Sequence, residues 1–105
     1  VNLSDEASKS GVALADAEQL CLQIANLERL NLRGLMAIPA AATDFNQQRQ
    51  EFNRLFSLFQ RLGSALPHFD TLSMGMSNDY KIAIEEGSTM IRLGTLLFGQ
   101  RGSYN

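Results

Sequence analysis

The sequence predicts an α/β fold: four parallel strands alternating with helices, amounting to half of a (β/α)8 TIM-type barrel. Segments of strand length alternate with amphipathic helical segments through short connections, which implies parallel strands joined by right-handed crossovers. The chain has 105 residues, whereas a complete barrel needs roughly 200 to 250. No GxGxxG follows the first strand-like segment, which disfavours the alternative of an open, doubly wound sheet. Half a barrel leaves one sheet face uncovered, so the other half or a second copy is expected to cover it.

The elements follow in order. Val1-Asn2-Leu3 reads as the end of a strand that starts upstream, so residues 1–105 are expected to be a single partial domain of a longer protein. After the polar loop SDEASKSGV, the positions Ala17, Leu20, Cys21, Ile24 and Leu27 or Glu28 follow the i, i+3, i+4, i+7 rule and predict a helix from about Leu14 to Leu30. LRGLMAI has strand length and stops at Pro39. Thr43 or Asp44 can cap the next helix, whose stripe of Phe52, Leu55, Phe56, Phe59 and Leu62 faces the core. Arg49, Glu51, Arg54 and Arg61 are assigned to its wet side, and Gly63 to its end. HFDTLSM predicts the third strand; Ser77, Asn78 or Asp79 then caps a short helix that Gly87 ends. STMIRLG predicts the fourth strand, and LLFGQ one more helical turn.

Composition narrows the function classes. Hydrophobic residues make up 45% and charged residues 19%, as in a soluble globular protein, and no apolar run approaches a membrane span. The net charge is −2 with the basic residues scattered, so a nucleic-acid partner is not expected. The single cysteine, Cys21, cannot form an internal disulfide, sits on an apolar helical face, and fits a cytoplasmic protein with a structural thiol. One histidine, His68, falls at the entry of a strand; neither a metal-ligand pair nor a Ser/His/Asp set can be assembled around it.

In α/β proteins ligands bind beyond the C-terminal ends of parallel strands. Two of those ends are rich in glycine and hydroxyls: SMGMS, residues 73–77, and RLGT, residues 92–95. Backbone N–H groups, a glycine that lets a ligand approach, and hydroxyls together suit a phosphate. Alternation puts Met90, Arg92 and Gly94 on one face and Ile91 and Leu93 on the other. An arginine in an apolar strand needs a partner; Arg92 therefore either meets an anion or ring nitrogen of a ligand, or pairs with Asp70 or Asp79. Lys9 lies in a loop at the same end, either contacting an anionic ligand or simply solvated.

VNLSDEASKSGV, RGLMAIP, TLSMGMSNDY and AIEEGSTMIRLGTLLFGQR, in that order and spacing, resemble the C-terminal half of the pyridoxal phosphate homeostasis protein family. The resemblance covers nearly the whole chain and is weakest between Phe45 and Leu62; LSMGMS, GSTMIRLGT and Phe98-Gly99 are its most specific parts. It implies a barrel similar to the N-terminal domain of alanine racemase, with pyridoxal 5'-phosphate (PLP) as cofactor. The implied cofactor-binding residues are Ser73, Met74, Gly75 and Ser77 in one phosphate loop, Gly94 and Thr95 as the second phosphate contact, Arg92 facing the pyridine nitrogen, and Lys9 close to the pocket. The family's cofactor-bonding lysine is expected upstream of Val1. The implied function is non-catalytic PLP binding and intracellular PLP homeostasis, as a carrier or buffer. The alternatives are an alanine-racemase-like PLP enzyme acting on amino acids, and a barrel half that binds a sugar phosphate. The full-length protein is expected to be a monomer, and the 105-residue piece to pair with a second copy through its uncovered edge.

Overall fold

The computed structural model describes residues 1–3, 10–39 and 44–99. The elements are α1 (Leu14–Ala25), β1 (Gly34–Met36), α2 (Phe45–Gly63), β2 (Thr71–Met76), α3 (Tyr80–Glu85), β3 (Met90–Arg92) and α4 (Gly94–Phe98). The strands form one parallel sheet in the order β1-β2-β3, as the alternating pattern requires.

Among the described residues the sheet has three strands, not four. Val1–Leu3 makes an isolated bridge from Asn2 to Ala13, and the Val1 nitrogen donates to the Met36 carbonyl at 2.7 Å. It lies beside β1 but is too short there to build a ladder.

α2 is the best specified element. Asp44 Oδ1 accepts the Asn46 N–H at 2.9 Å, so Asp44 rather than Thr43 caps it. Phe52, Leu55 and Leu62 are buried, and Leu58 joins them, while Phe56 and Phe59 are half-buried against the core edge. Glu51, expected on the wet side, is buried. It stands four and seven residues before Leu55 and Leu58, which places it on the core stripe despite its charge.

α1 ends at Ala25, five residues short of the expected Leu30. Only Ala17 and Cys21 are buried on it, and Leu27 and Leu30 are exposed, so no core lies beneath a longer helix. Arg61 Nε ties α2 to α1 through Glu18 at 2.6 Å.

Helices α2 and α3 cover one sheet face, where Leu35, Leu72 and Met74 are buried with Ala37 and Ala83. Gly34 pairs with Thr71, whose carbonyl oxygen occupies the space a Cβ at 34 would need, so the two strands could not otherwise close. The opposite face carries Met36, Ser73 and Met90 in one cross-strand row, with both methionines exposed. This open face leads to the strand exits.

Candidate functional site

At its exit, β2 departs from a regular strand. It runs through Met76, two residues past the expected HFDTLSM, so Ser73, Met74 and Gly75 are strand residues and the turn proper is Ser77–Asp79. Ser73 pairs with Met90 but Met76 pairs with Arg92, three residues along β2 against two along β3. One extra residue is therefore accommodated in β2, a bulge. Gly75 has φ +105°, and a Cβ there would stand 2.8 Å from Ala83 Cβ and 3.2 Å from Tyr80 Cα. Glycine is needed for both the dihedral and the close approach of α3.

The bulge changes which face the following residues occupy. Strict alternation from Ser73 would send Met76 toward the helices. Pairing with Arg92 instead places Met76 on the open face, where it is exposed.

Polar groups take over where the ladder breaks. Met76 N–H donates to Asp79 Oδ1 at 2.7 Å. Asp79 holds the N-cap position of α3, but its carboxylate turns back to the strand and makes no cap bond to the helix. Ser88 Oγ lies 2.6 Å from the Met74 carbonyl and 3.0 Å from that of Met90. Thr89 Oγ1 accepts the Leu72 N–H at 2.7 Å. Sequence reasoning missed the bulge and the bracing role of Ser88; the available signal was a glycine inside a strand, a common mark of a bulge.

Beyond the bulge, Ser77 Oγ accepts the Leu96 N–H at 2.8 Å, which joins the exit of β2 to α4. A hydroxyl has one proton to donate, and in this arrangement that of Ser77 is left for another acceptor. Gly94 and Thr95, at the start of α4, are exposed, and a Cβ built on Gly94 would meet nothing within 4 Å.

Arg92 follows the expected parity. Its Nη2 donates to the Ala37 carbonyl at 3.2 Å, so the side chain crosses β2 to reach the exit of β1. Neither expected carboxylate pairs with it: Asp70 is held by Arg33 and Asp79 by Met76 N–H. Arg92 Nε is buried without a hydrogen-bond partner. A buried guanidinium N–H left unpaired is costly, so Arg92 is held here at a cost in free energy.

The structure thus brings Ser77, Arg92, Gly94 and Thr95 to one end of the sheet, while Ser73 is buried three residues short of the end of β2, opposite Met36 and Met90. Met74 is fully buried and Gly75 lies under α3, so these two shape the site from below. Lys9 lies outside the described residues. Ser10 and Gly11 border Met36 and Ile38 in a cavity of about 350 Å³ beside the exit of β1.

Other candidates fall away from this end. His68 is exposed in the turn before β2, with φ 65°. Cys21 is buried and its burial pushes the thiol pKa up, which suits packing and disfavours a thiolate. A groove of about 890 Å³ runs along the outer side of α2; its Arg49 is already engaged by Glu85 at 2.6 Å. Among the described residues no His, Cys, Asp and Glu cluster could hold a metal, and no helix is long and apolar enough to cross a membrane.

Comparison with known proteins gives this geometry a lineage. The chain is 54% identical to a Vibrio alginolyticus protein named pyridoxal phosphate homeostasis protein, over 96% of this chain and 43% of that one. It is 48% identical to the Escherichia coli K12 protein of the same name, over the same shares. The chain therefore spans less than half the length of these curated relatives. Among solved structures, an unknown protein from Bifidobacterium adolescentis superposes with a TM-score of 0.86 at 40% identity, covering 93% of this chain and 40% of that one. PipY of Synechococcus elongatus, solved with PLP bound, superposes with a TM-score of 0.74 at 32% identity, covering 93% and 48%. Residues 1–102 match the alanine racemase N-terminal domain family, whose model spans nearly the whole chain, and the chain belongs to that family.

Proposed function

We propose that this chain forms one part of a PLP-binding barrel that serves PLP homeostasis without catalytic turnover, in the cytoplasm. The observation that carries the reading is the buried, unpartnered Nε of Arg92 at the same strand exits as Ser77, on the sheet face that also carries Ser73. Two further features fit the cofactor: the clear space at Gly94 and the free hydroxyl proton of Ser77. Relatives named for PLP homeostasis and a similar structure with PLP bound support the same ligand. The lone, buried Cys21 agrees with a reducing compartment.

Bound PLP supplies a reactive aldehyde and a pyridine ring able to withdraw electrons. Ser73 and Ser77, with the backbone at Gly94 and Thr95, would hold the phosphate; Met74 and Gly75 would support that loop through packing. Arg92 would donate to the pyridine nitrogen. A guanidinium has only donors, so it holds that nitrogen unprotonated and keeps the ring a weak electron sink. That favours storage and delivery over carbanion chemistry.

The test is PLP titration of the intact protein that carries this chain, followed by absorbance. Arg92→Ala and Ser73→Ala should each weaken binding by roughly tenfold or more, the size of a hydrogen bond to a charged group. Unchanged affinity in both variants would remove the site assignment. The matched family also admits a racemase; conversion of L-alanine to D-alanine by the intact protein at enzymatic rates would replace the non-catalytic reading.

A further inference from the structure

We propose that Asp79 and Ser88 are positioning residues for the phosphate end of the ligand: they hold the β2 bulge open and so keep Ser77 beside α4, where its hydroxyl accepts the Leu96 N–H. This rests on the PLP reading above. A bulge forfeits ladder hydrogen bonds, and a backbone group left unpaired there would draw the strand back toward regular pairing. Here the Met76 N–H, next to the extra residue, is taken by Asp79 Oδ1 at 2.7 Å. The Met74 carbonyl, on its other side, is taken by Ser88 Oγ at 2.6 Å. The two side chains come from the connections on either side of α3 and clamp the residues flanking Gly75. Neither lies where the ligand's phosphate would: Asp79 would repel it, and Ser88 faces the strand carbonyls.

The distinction between holding the bulge and holding the fold can be read from the ligand. PLP and pyridoxal share the ring and aldehyde, and only PLP carries the phosphate. In the intact protein, Asp79→Ala and Ser88→Ala should each weaken PLP by about tenfold while changing pyridoxal affinity less than twofold. Asp79→Asn keeps an oxygen acceptor and Ser88→Thr keeps the hydroxyl, so both should restore the preference for PLP.

Alanine variants that retain the wild-type preference overturn the inference and leave the cofactor reading standing. Equal loss for both ligands, or alanine and conservative variants that behave alike, also overturns it, because general loosening would then be the cause. A wild-type protein that binds neither ligand removes the cofactor reading and this inference together.

Discussion

Gly75 and Ala83 meet so closely that a Cβ on Gly75 would lie 2.8 Å from the Ala83 methyl carbon. This contact seats α3 on β2 at the point where the strand gains its extra residue, and it joins the packing of the core to the shape of the site.

Gly75→Ala adds two costs. A positive φ on an alanine costs about 1 to 2 kcal/mol, and the overpacking about 1 to 3 kcal/mol. Urea unfolding of the intact protein should show the sum. Adding Ala83→Gly should return part of the packing share and none of the dihedral share; full recovery would mean that the backbone at 75 is unstrained.

Gly94 presents the opposite case. With nothing within 4 Å of its Cβ position, Gly94→Leu should leave the unfolding midpoint within about 0.5 kcal/mol of wild type. The added side chain would occupy the space proposed for the phosphate, so PLP affinity should fall by roughly tenfold or more. Calorimetric titration beside thermal melting separates the two effects, and unaltered affinity would place the phosphate elsewhere.

Arg33 grips Asp70 through two hydrogen bonds, 2.9 and 2.7 Å, at the entry ends of β1 and β2. The guanidinium, helped by Thr71, lowers the Asp70 pKa from 3.8 to about 2. A carboxyl whose folded pKa is depressed stabilises the protein above its unfolded pKa and loses that contribution as pH falls through the folded value. The window is therefore about pH 4 down to pH 2. Asp70→Asn should lower the melting temperature modestly at pH 7, by less than the shift alone implies because both side chains are exposed, and should flatten its pH dependence across that acid window. An unchanged acid limb would assign the sensitivity to other carboxylates.

Two phenylalanines of α2 should behave in contrast. Phe52 is completely buried and Phe45 is 65% exposed. Phe52→Ala should cost about 3 to 5 kcal/mol, and Phe45→Ala about 0.5 kcal/mol or less. Denaturant midpoints of the two variants in the intact protein decide it; similar losses would mean that Phe45 packs against a partner.

Much of this architecture is legible from residue types. The five apolar positions from Phe52 to Leu62 repeat at helical spacing, so α2 could be placed closely from pattern alone. The parity of Arg92 was also readable, because β3 is regular. Charge alone puts Glu51 on the wet side, whereas its position on the helix puts it in the core. The exit of β2 escapes pattern reading because a glycine in positive φ breaks alternation, and alternation is the signal that defines a strand. The contact from Arg92 to Ala37 could not be seen at all, since every residue carries a carbonyl and only the fold selects one. The hydroxyl and glycine content of the site was visible, and the motifs of the family resemblance singled out its residues, while the joining of Ser77 to Leu96 required the tertiary structure.

The single extra residue in β2 makes chain length itself a structural variable. Deleting Gly75 would let β2 and β3 pair in uninterrupted register, with Ser73 still opposite Met90 and Met76 still opposite Arg92. Both sheet faces would keep their residues, while α3 would lose the seat that Gly75 gives Ala83. The extra residue thus serves the junction between strand and helix rather than the ladder itself.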